Sequence, residues 1–181
     1  MTADVRASLN GVWRLDKSRG EPSMKGYLEV MGVTAMAIEA HEKGEKDVET
    51  RNNIALSAVT LRIKKTSRVN NLQEEFTVGK DMTKTLAGGG NRQKMTRVDS
   101  DGLHHVKITT QMPTMNGKAE VVDIKTLVTE DDGKTVLRQD LTIRNVDTGQ
   151  TKTTQRWFVP EALTDEMAFD ENVDDSAPTA A

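Results

Sequence analysis

Few residues in this 181-residue chain have types and spacings that suit chemistry. His104 and His105 are adjacent, and the third histidine, His41, lies far upstream. Neighbours in a regular strand point to opposite faces, so His104 and His105 cannot chelate one ion together. A haem-binding barrel needs one inward histidine as axial ligand, and His104 is the candidate for that role. Asp99-Ser-Asp-Gly102 resembles part of a calcium loop, but Arg97 stands where the first acidic ligand is needed and no glutamate follows at the required spacing. It reads as a hairpin turn. Gly88-Gly-Gly90 lacks the Lys-Ser/Thr ending of a phosphate loop and also reads as a turn. Cysteine is absent, which rules out disulfides and thiolate zinc ligands. No histidine sits in the strained strand-to-helix elbow that activates a nucleophile. No metal or other cofactor is expected, and a binding protein is favoured over an enzyme.

The stretch Thr153-Thr-Gln-Arg-Trp-Phe-Val159 concentrates an arginine and two aromatic rings in a chain that is only 3% aromatic. Alternation places Thr154, Arg156 and Phe158 on one strand face, and Gln155, Trp157 and Val159 on the other. If the first face is buried, Arg156 needs an anionic or hydrogen-bonding partner. One structural partner is an acid such as Asp123; the other possibility is a ligand.

The elements that must position these groups are short. Leu9–Leu15 alternates as a first strand. After Glu21-Pro22-Ser23, with Pro22 expected in a helix's first turn, Met24, Tyr27, Leu28 and Met31 follow at helical spacing, with Gly32 as a stop. Thr34 caps a second short helix carrying Met36, Ile38 and Ala40 and ending near Gly44. Beyond residue 47 the chain reads as strands of Thr, Val and Ile separated by turn signals. These include Asn52-Asn53, Asn70-Asn71, Met115-Asn-Gly117, Asp131-Asp-Gly133 and Asp147-Thr-Gly149. The rhythm predicts a mainly β protein, an antiparallel meander closed into a barrel or folded as a sandwich.

Several of these strands carry one polar group in an apolar row. Leu137, Gln139, Leu141 and Ile143 share a face, and His104, Val106, Ile108 and Thr110 share another. Such rows suit a lined cavity better than a dry core, because a buried amide needs partners. Nine methionines against three phenylalanines fit a pliable cavity, or simply a lid packed onto the rim by Met24, Met31 and Met36.

The net charge of −3 is uneven. Residues 161–181 carry seven acids and no base, leaving +4 on residues 1–160. A mildly basic body without clustered cations among aromatics does not suit nucleic acid. No run approaches the ~20 apolar residues of a membrane span, and the first residues lack the apolar core of a signal peptide. A soluble, cytoplasmic monomer is expected, with a domain over 1–160 and an acidic, flexible tail over 161–181.

In order along the chain, four stretches resemble the intracellular fatty-acid-binding protein family of the calycin group. They are Leu9-Asn-Gly-Val-Trp-Arg-Leu-Asp-Lys-Ser18, Tyr27-Leu-Glu-Val-Met-Gly-Val33, Phe76-Thr-Val-Gly79 and Gln155-Arg-Trp-Phe158. The resemblance implies an up-and-down β-barrel of about ten strands under a short helix-turn-helix lid, holding a fatty acid or other small hydrophobic ligand. In that family an arginine and a tyrosine of the last strand, with an arginine two strands earlier, hold the ligand carboxylate. Arg156 matches the first, Phe158 replaces the tyrosine, and Lys125 is the only cation on the earlier strand's matching stretch. Gln139 lies between them.

The implied ligand-binding set is therefore Arg156, Phe158, Gln139, Lys125, His104, Leu141, Ile108 and Phe76, with Tyr27, Met31 and Met36 at the lid. The second helix, with Glu39, Glu42, Lys43, Glu45 and Lys46, is nearly balanced in charge, so release to water is expected rather than docking to anionic membrane. The alternatives are a small calycin-fold enzyme or haem protein using His104, or a barrel domain of a larger polypeptide.

Overall fold

The computed structural model describes residues 5–67, 71–87 and 92–171. Strand β1 (Gly11–Gly20) leads into two helices, α1 (Lys25–Val30) and α2 (Ala35–Glu45). Nine strands follow: β2 (Arg51–Leu56), β3 (Thr60–Thr66), β4 (Asn71–Thr77), β5 (Asp81–Thr85), β6 (Gln93–Asp101), β7 (His105–Thr114), β8 (Gly117–Thr129), β9 (Thr135–Asn145) and β10 (Thr151–Glu161). They form one antiparallel sheet in the order β4-β3-β2-β1-β10-β9-β8-β7-β6-β5. Pairing of β1 with β10 curls the meander into a barrel, and β4 and β5 are its two edges, unpaired with one another among the described residues. This is the barrel alternative of the antiparallel meander that the turn signals predict, and the ten-stranded up-and-down barrel with a helical lid that the family resemblance implies.

The lid begins and ends where its sequence says. Thr34 accepts a hydrogen bond from the Ala37 N–H at 3.3 Å, the N-cap geometry. Gly32 sits at φ +80°, a conformation that ends α1 and that side chains with a Cβ avoid. Pro22 differs from expectation: α1 starts at Lys25, so the proline lies in the connection ahead of it. Among the described residues no helix is long and apolar enough to cross a membrane.

Two apolar clusters fill the barrel. The larger contains Trp13, Leu15, Ile54, Leu61, Ile63, Val98, Val106, Ile108, Leu137 and Phe158, with Phe76 and Leu127 against it. Trp13 is completely buried, and its indole N–H donates to the Leu9 carbonyl at 2.8 Å, so its one polar atom is satisfied. The smaller cluster joins lid to wall: Val30, with Met24, Tyr27 and Met31, packs on Val121, Leu141 and Ile143.

Two expectations change. Asn52-Asn53 is no turn; both lie inside β2 and are buried. The Asn53 amide donates 2.8 Å to the carbonyl of Met167, which supplies the partner a buried amide needs. That contact comes from the segment expected to be a loose tail. Residues 161–171 are instead seated on the outer wall, through a 3₁₀ turn at Asp165–Met167. Met167 is buried, Lys64 donates to the Ala168 carbonyl at 2.9 Å, and Gln73 exchanges two hydrogen bonds with the Asp170 backbone. Phe169 lies under the Arg62 guanidinium at 4.5 Å. Glu161 pairs with Arg51 at 2.6 Å and Asp170 with Lys64 at 3.4 Å, while Asp165, Glu166 and Glu171 are exposed. Residues 172–181 and the Gly88–Gly90 turn lie outside the described residues, as does Asn70 of the Asn70-Asn71 signal.

Candidate functional site

The site is built on β8, β9 and β10, whose register sets inward side chains in level rows. Arg156 pairs with Gln139, and Gln139 with Lys125. One row over, Thr154 pairs with Leu141, and Leu141 with Asp123. Strands lie about 4.8 Å apart, so three strands bring Arg156, Gln139 and Lys125 within about 10 Å. All six side chains are buried. Outside the wall, Trp157 stacks on Arg19 at 3.6 Å.

Lys125 has 0% of its surface exposed, and its Nζ donates to Asp123 Oδ2 at 2.5 Å. The other Asp123 oxygen, Oδ1, accepts from Gln139 Nε2 at 3.1 Å. Burial alone would raise the Asp123 carboxyl, but the charges of Lys125 and Lys65 and its hydrogen bonds more than offset this and hold it below the usual carboxylate range. Burial pushes the Lys125 ammonium down to about 8, against the attraction of Asp123.

Arg156 is treated differently. It is 7% exposed, and its Nε has no hydrogen-bond partner among the described residues. The expected pairing with Asp123 is not formed, because that carboxylate is taken by Lys125 and Gln139. Burial lowers the Arg156 guanidinium, while the charges of Glu45 and Asp123 act from a distance in the opposite sense. Its nearest aromatic neighbour is Phe158, 5.6 Å to the ring centroid, within cation–π range. Gln139 Oε1 and Thr154 Oγ1 are likewise buried without partners among the described residues. The wall therefore presents a cation, a donor, an acceptor and a hydroxyl together, beside apolar Leu141 and Phe158. From the lid, Tyr27 packs on the cluster that includes Leu141; burial and the Asp123 charge both raise its phenol.

No family model and no curated protein sequence matches this chain. Its three-dimensional form does find counterparts. A REP1-NXSQ fatty acid transporter superposes with a TM-score of 0.57 at 16% identity, over 86% of this chain and 98% of that one. Human cRBP IV gives a TM-score of 0.56 at 17% identity, over 86% of this chain and 100% of the other. The apo form of lipid binding protein 8 from Caenorhabditis elegans gives 0.56 at 18% identity, covering 87% and 99%. The fold is that of the fatty-acid-binding proteins.

Within that fatty-acid-binding fold, the structure brings most of the expected residues to the lumen. Arg156, Phe158, Gln139, Lys125, Leu141 and Ile108 are all inward and buried, and Phe76 is partly so. Tyr27 and Met31 sit under the lid. Two do not join them. His104 is exposed in the turn between β6 and β7, because Gly102 at φ +62° ends the alternation and β7 starts only at His105. The haem reading loses its axial ligand with it. Met36, on the first turn of α2, is 82% exposed and packs on nothing in the rim. Thr154, Asp123 and Lys65 belong to the lumen although the candidate set omits them. Their signal lay in strand alternation: Val121, Asp123, Lys125 and Leu127 share one face, so an acid and a base two residues apart point inward together. Among the described residues no group of three or more His, Cys, Asp or Glu is placed to hold a metal ion.

Proposed function

We propose that this protein is a non-catalytic carrier, binding a fatty acid or similar small hydrophobic ligand inside the barrel and moving it through the cytoplasm. The observation that carries this reading is Arg156: a lumenal guanidinium, buried, with an unpartnered Nε and its nearest candidate acid engaged elsewhere. Burying a charge without a partner is costly, and a protein that holds one inside a cavity gains by it when a ligand supplies the partner. Arg156 and Gln139 meet the polar end of the ligand, with Lys125 held behind Asp123 rather than acting as a second anchor. Phe158, Leu141, Ile108 and Phe76 flank its apolar chain, and Tyr27 and Met31 cover it. The solved structures with this fold that are named as a fatty acid transporter, a cRBP and a lipid binding protein support the same class of ligand.

The test is native mass spectrometry of freshly purified protein with solvent extraction of bound material, on wild type and Arg156→Ala. Lipid on the wild type and at least tenfold less on the variant is the expected result. Lipid held equally by both would return Arg156 to a purely structural role. An empty protein that also refuses an added fluorescent lipid would overturn the carrier reading.

A further inference from the structure

We infer that Asp123 is a built-in carboxylate that selects hydroxyl-bearing lipids over fatty-acid anions. The inference rests on the carrier reading above and narrows its ligand class.

The second cation of the row already has its carboxylate. Lys125 has no exposed surface and spends its ammonium on Asp123 at 2.5 Å, so a ligand carboxylate finds no room there. Asp123 also fixes the amide of Gln139. A carboxylate only accepts hydrogen bonds, so the Gln139 NH₂ must face it, as the 3.1 Å contact records, and the amide oxygen is left as the free end. What remains for a ligand is the Arg156 guanidinium, whose Nε is buried and unpartnered, one acceptor, Gln139 Oε1, and one hydroxyl, Thr154 Oγ1, both likewise buried and unpartnered among the described residues.

Arg156 and Gln139 are direct cross-strand partners, so one small group can reach both. A hydroxyl fits, because its oxygen accepts from Arg156 while its hydrogen goes to Gln139. A carboxylate accepts only. It satisfies Arg156 but sets a negative oxygen against Gln139 Oε1 and adds a second anion beside Asp123. The charge on Arg156 pulls toward an anion, yet Asp123 and Glu45 both act on it already. Lys65, the remaining cation near Asp123 and Lys125, is half-buried and so partly screened by water. The hydrogen-bond complement then decides, since a site built around one pattern of donors and acceptors discriminates strongly against a head group that leaves a member unpaired.

Asp123→Asn should invert the choice. The new amide can donate to Gln139 Oε1, which turns the Gln139 NH₂ toward the ligand, and it leaves Lys125 without its counter-charge. Both changes favour a carboxylate. The experiment is an equilibrium competition between hexadecanol and palmitate for delipidated protein, read by extraction and mass spectrometry. Wild type is expected to take the alcohol at least tenfold more tightly, and Asp123→Asn to lower that ratio at least tenfold. Gln139→Met, which leaves the Asp123–Lys125 pair in place, covers the case in which Asp123→Asn does not fold. It should weaken hexadecanol about tenfold more than it weakens palmitate. A wild type that prefers palmitate, or a ratio unmoved by both variants, overturns the inference and keeps the carrier. Binding of neither lipid to wild type removes the carrier reading itself.

Discussion

Two acid–base pairs project into this barrel, and they live in different dielectric worlds. Asp123–Lys125 lies on the closed wall, at 2.5 Å, with side-chain exposures of 9% and 0%. Glu74–Lys94 joins β4 to β6 at the open edge of the sheet, where β4 and β5 are unpaired, at 3.0 Å, with exposures of 16% and 22%. Around it Phe76, Met82, Lys84 and Thr96 line an indentation that opens to solvent. The chemistry is the same, but the wall pair is sealed by hydrogen-bonded strands on both sides while the boundary pair stands where the ladder is missing. In the first setting each charge depends chiefly on the other, since little water reaches the pair to repay its desolvation. In the second, water can do much of the partner's work. An ion pair's contribution is thus set by the sheet around it rather than by its own distance.

Removing one partner from each pair is the sharpest way to break that comparison. Lys125→Met strands a buried carboxylate and is expected to cost about 3–5 kcal/mol in urea unfolding. Replacing both members, Asp123→Leu with Lys125→Met, should recover most of the loss, since no charge is then left unpaired. Equal costs for Lys125→Met and Lys94→Met would dissolve the distinction. Next in size is the response to alkali. Lys125 has its ordinary value of 10.5 when unfolded and about 8 when folded. Between those values the unfolded chain keeps a proton the folded chain has released, so stability owed to Lys125 rises with pH, by at most about 1.4 kcal/mol per pH unit. Below about pH 8 both states are protonated and the contribution is flat. Unfolding free energies of wild type minus Lys125→Met, taken from pH 7 to 10, should show that rise.

Arg156 extends the comparison to a cation without a bonded acid. Arg156→Met removes an unpaired buried charge and should stabilise the empty barrel by about 1–2 kcal/mol while lowering lipid uptake. A destabilised variant would mean that Arg156 is satisfied within the protein. The smallest expected effect belongs to Lys94→Met, under about 1 kcal/mol, as for partly exposed pairs generally.

Much of this arrangement could be read along the chain. Strand alternation alone set Arg156 and Phe158 on one face and Trp157 on the other, and the Thr34 cap and Gly32 stop delimit the lid as local rules require. His104 shows where such reading fails: alternation is a property of a strand, and nothing in the local pattern announces that β7 begins one residue later. Asn52 and Asn53 fail for another reason. Asparagine favours turns because its side chain competes with backbone bonds, but Asn53 is satisfied by Met167, 114 residues away in the chain. The acidic C-terminal stretch misleads in the same way: beside the Glu161–Arg51 and Asp170–Lys64 pairs, its hold on β2, β3 and β4 comes from Met167, Phe169 and main-chain groups that charge counting ignores.

By itself, then, the sequence determined the architecture and the inward set: period-two alternation and turn chemistry are local, and they oblige an antiparallel meander with a polar residue in several apolar rows. It also placed Gln139 and Arg156 on candidate inward faces and named Lys125 as the one cation of its strand and Asp123 as a possible partner. Which of those groups would pair was decided only by tertiary structure. Lys125 reaches Asp123 from two residues along the same strand, cross-strand register adds Gln139 from β9, and Arg156 is left open. Three cations act on that carboxylate, Lys125 from its own strand and Lys65 and Arg156 from β3 and β10. Only the closed barrel decides that the distant two stay out of hydrogen-bond reach while Gln139 comes within it.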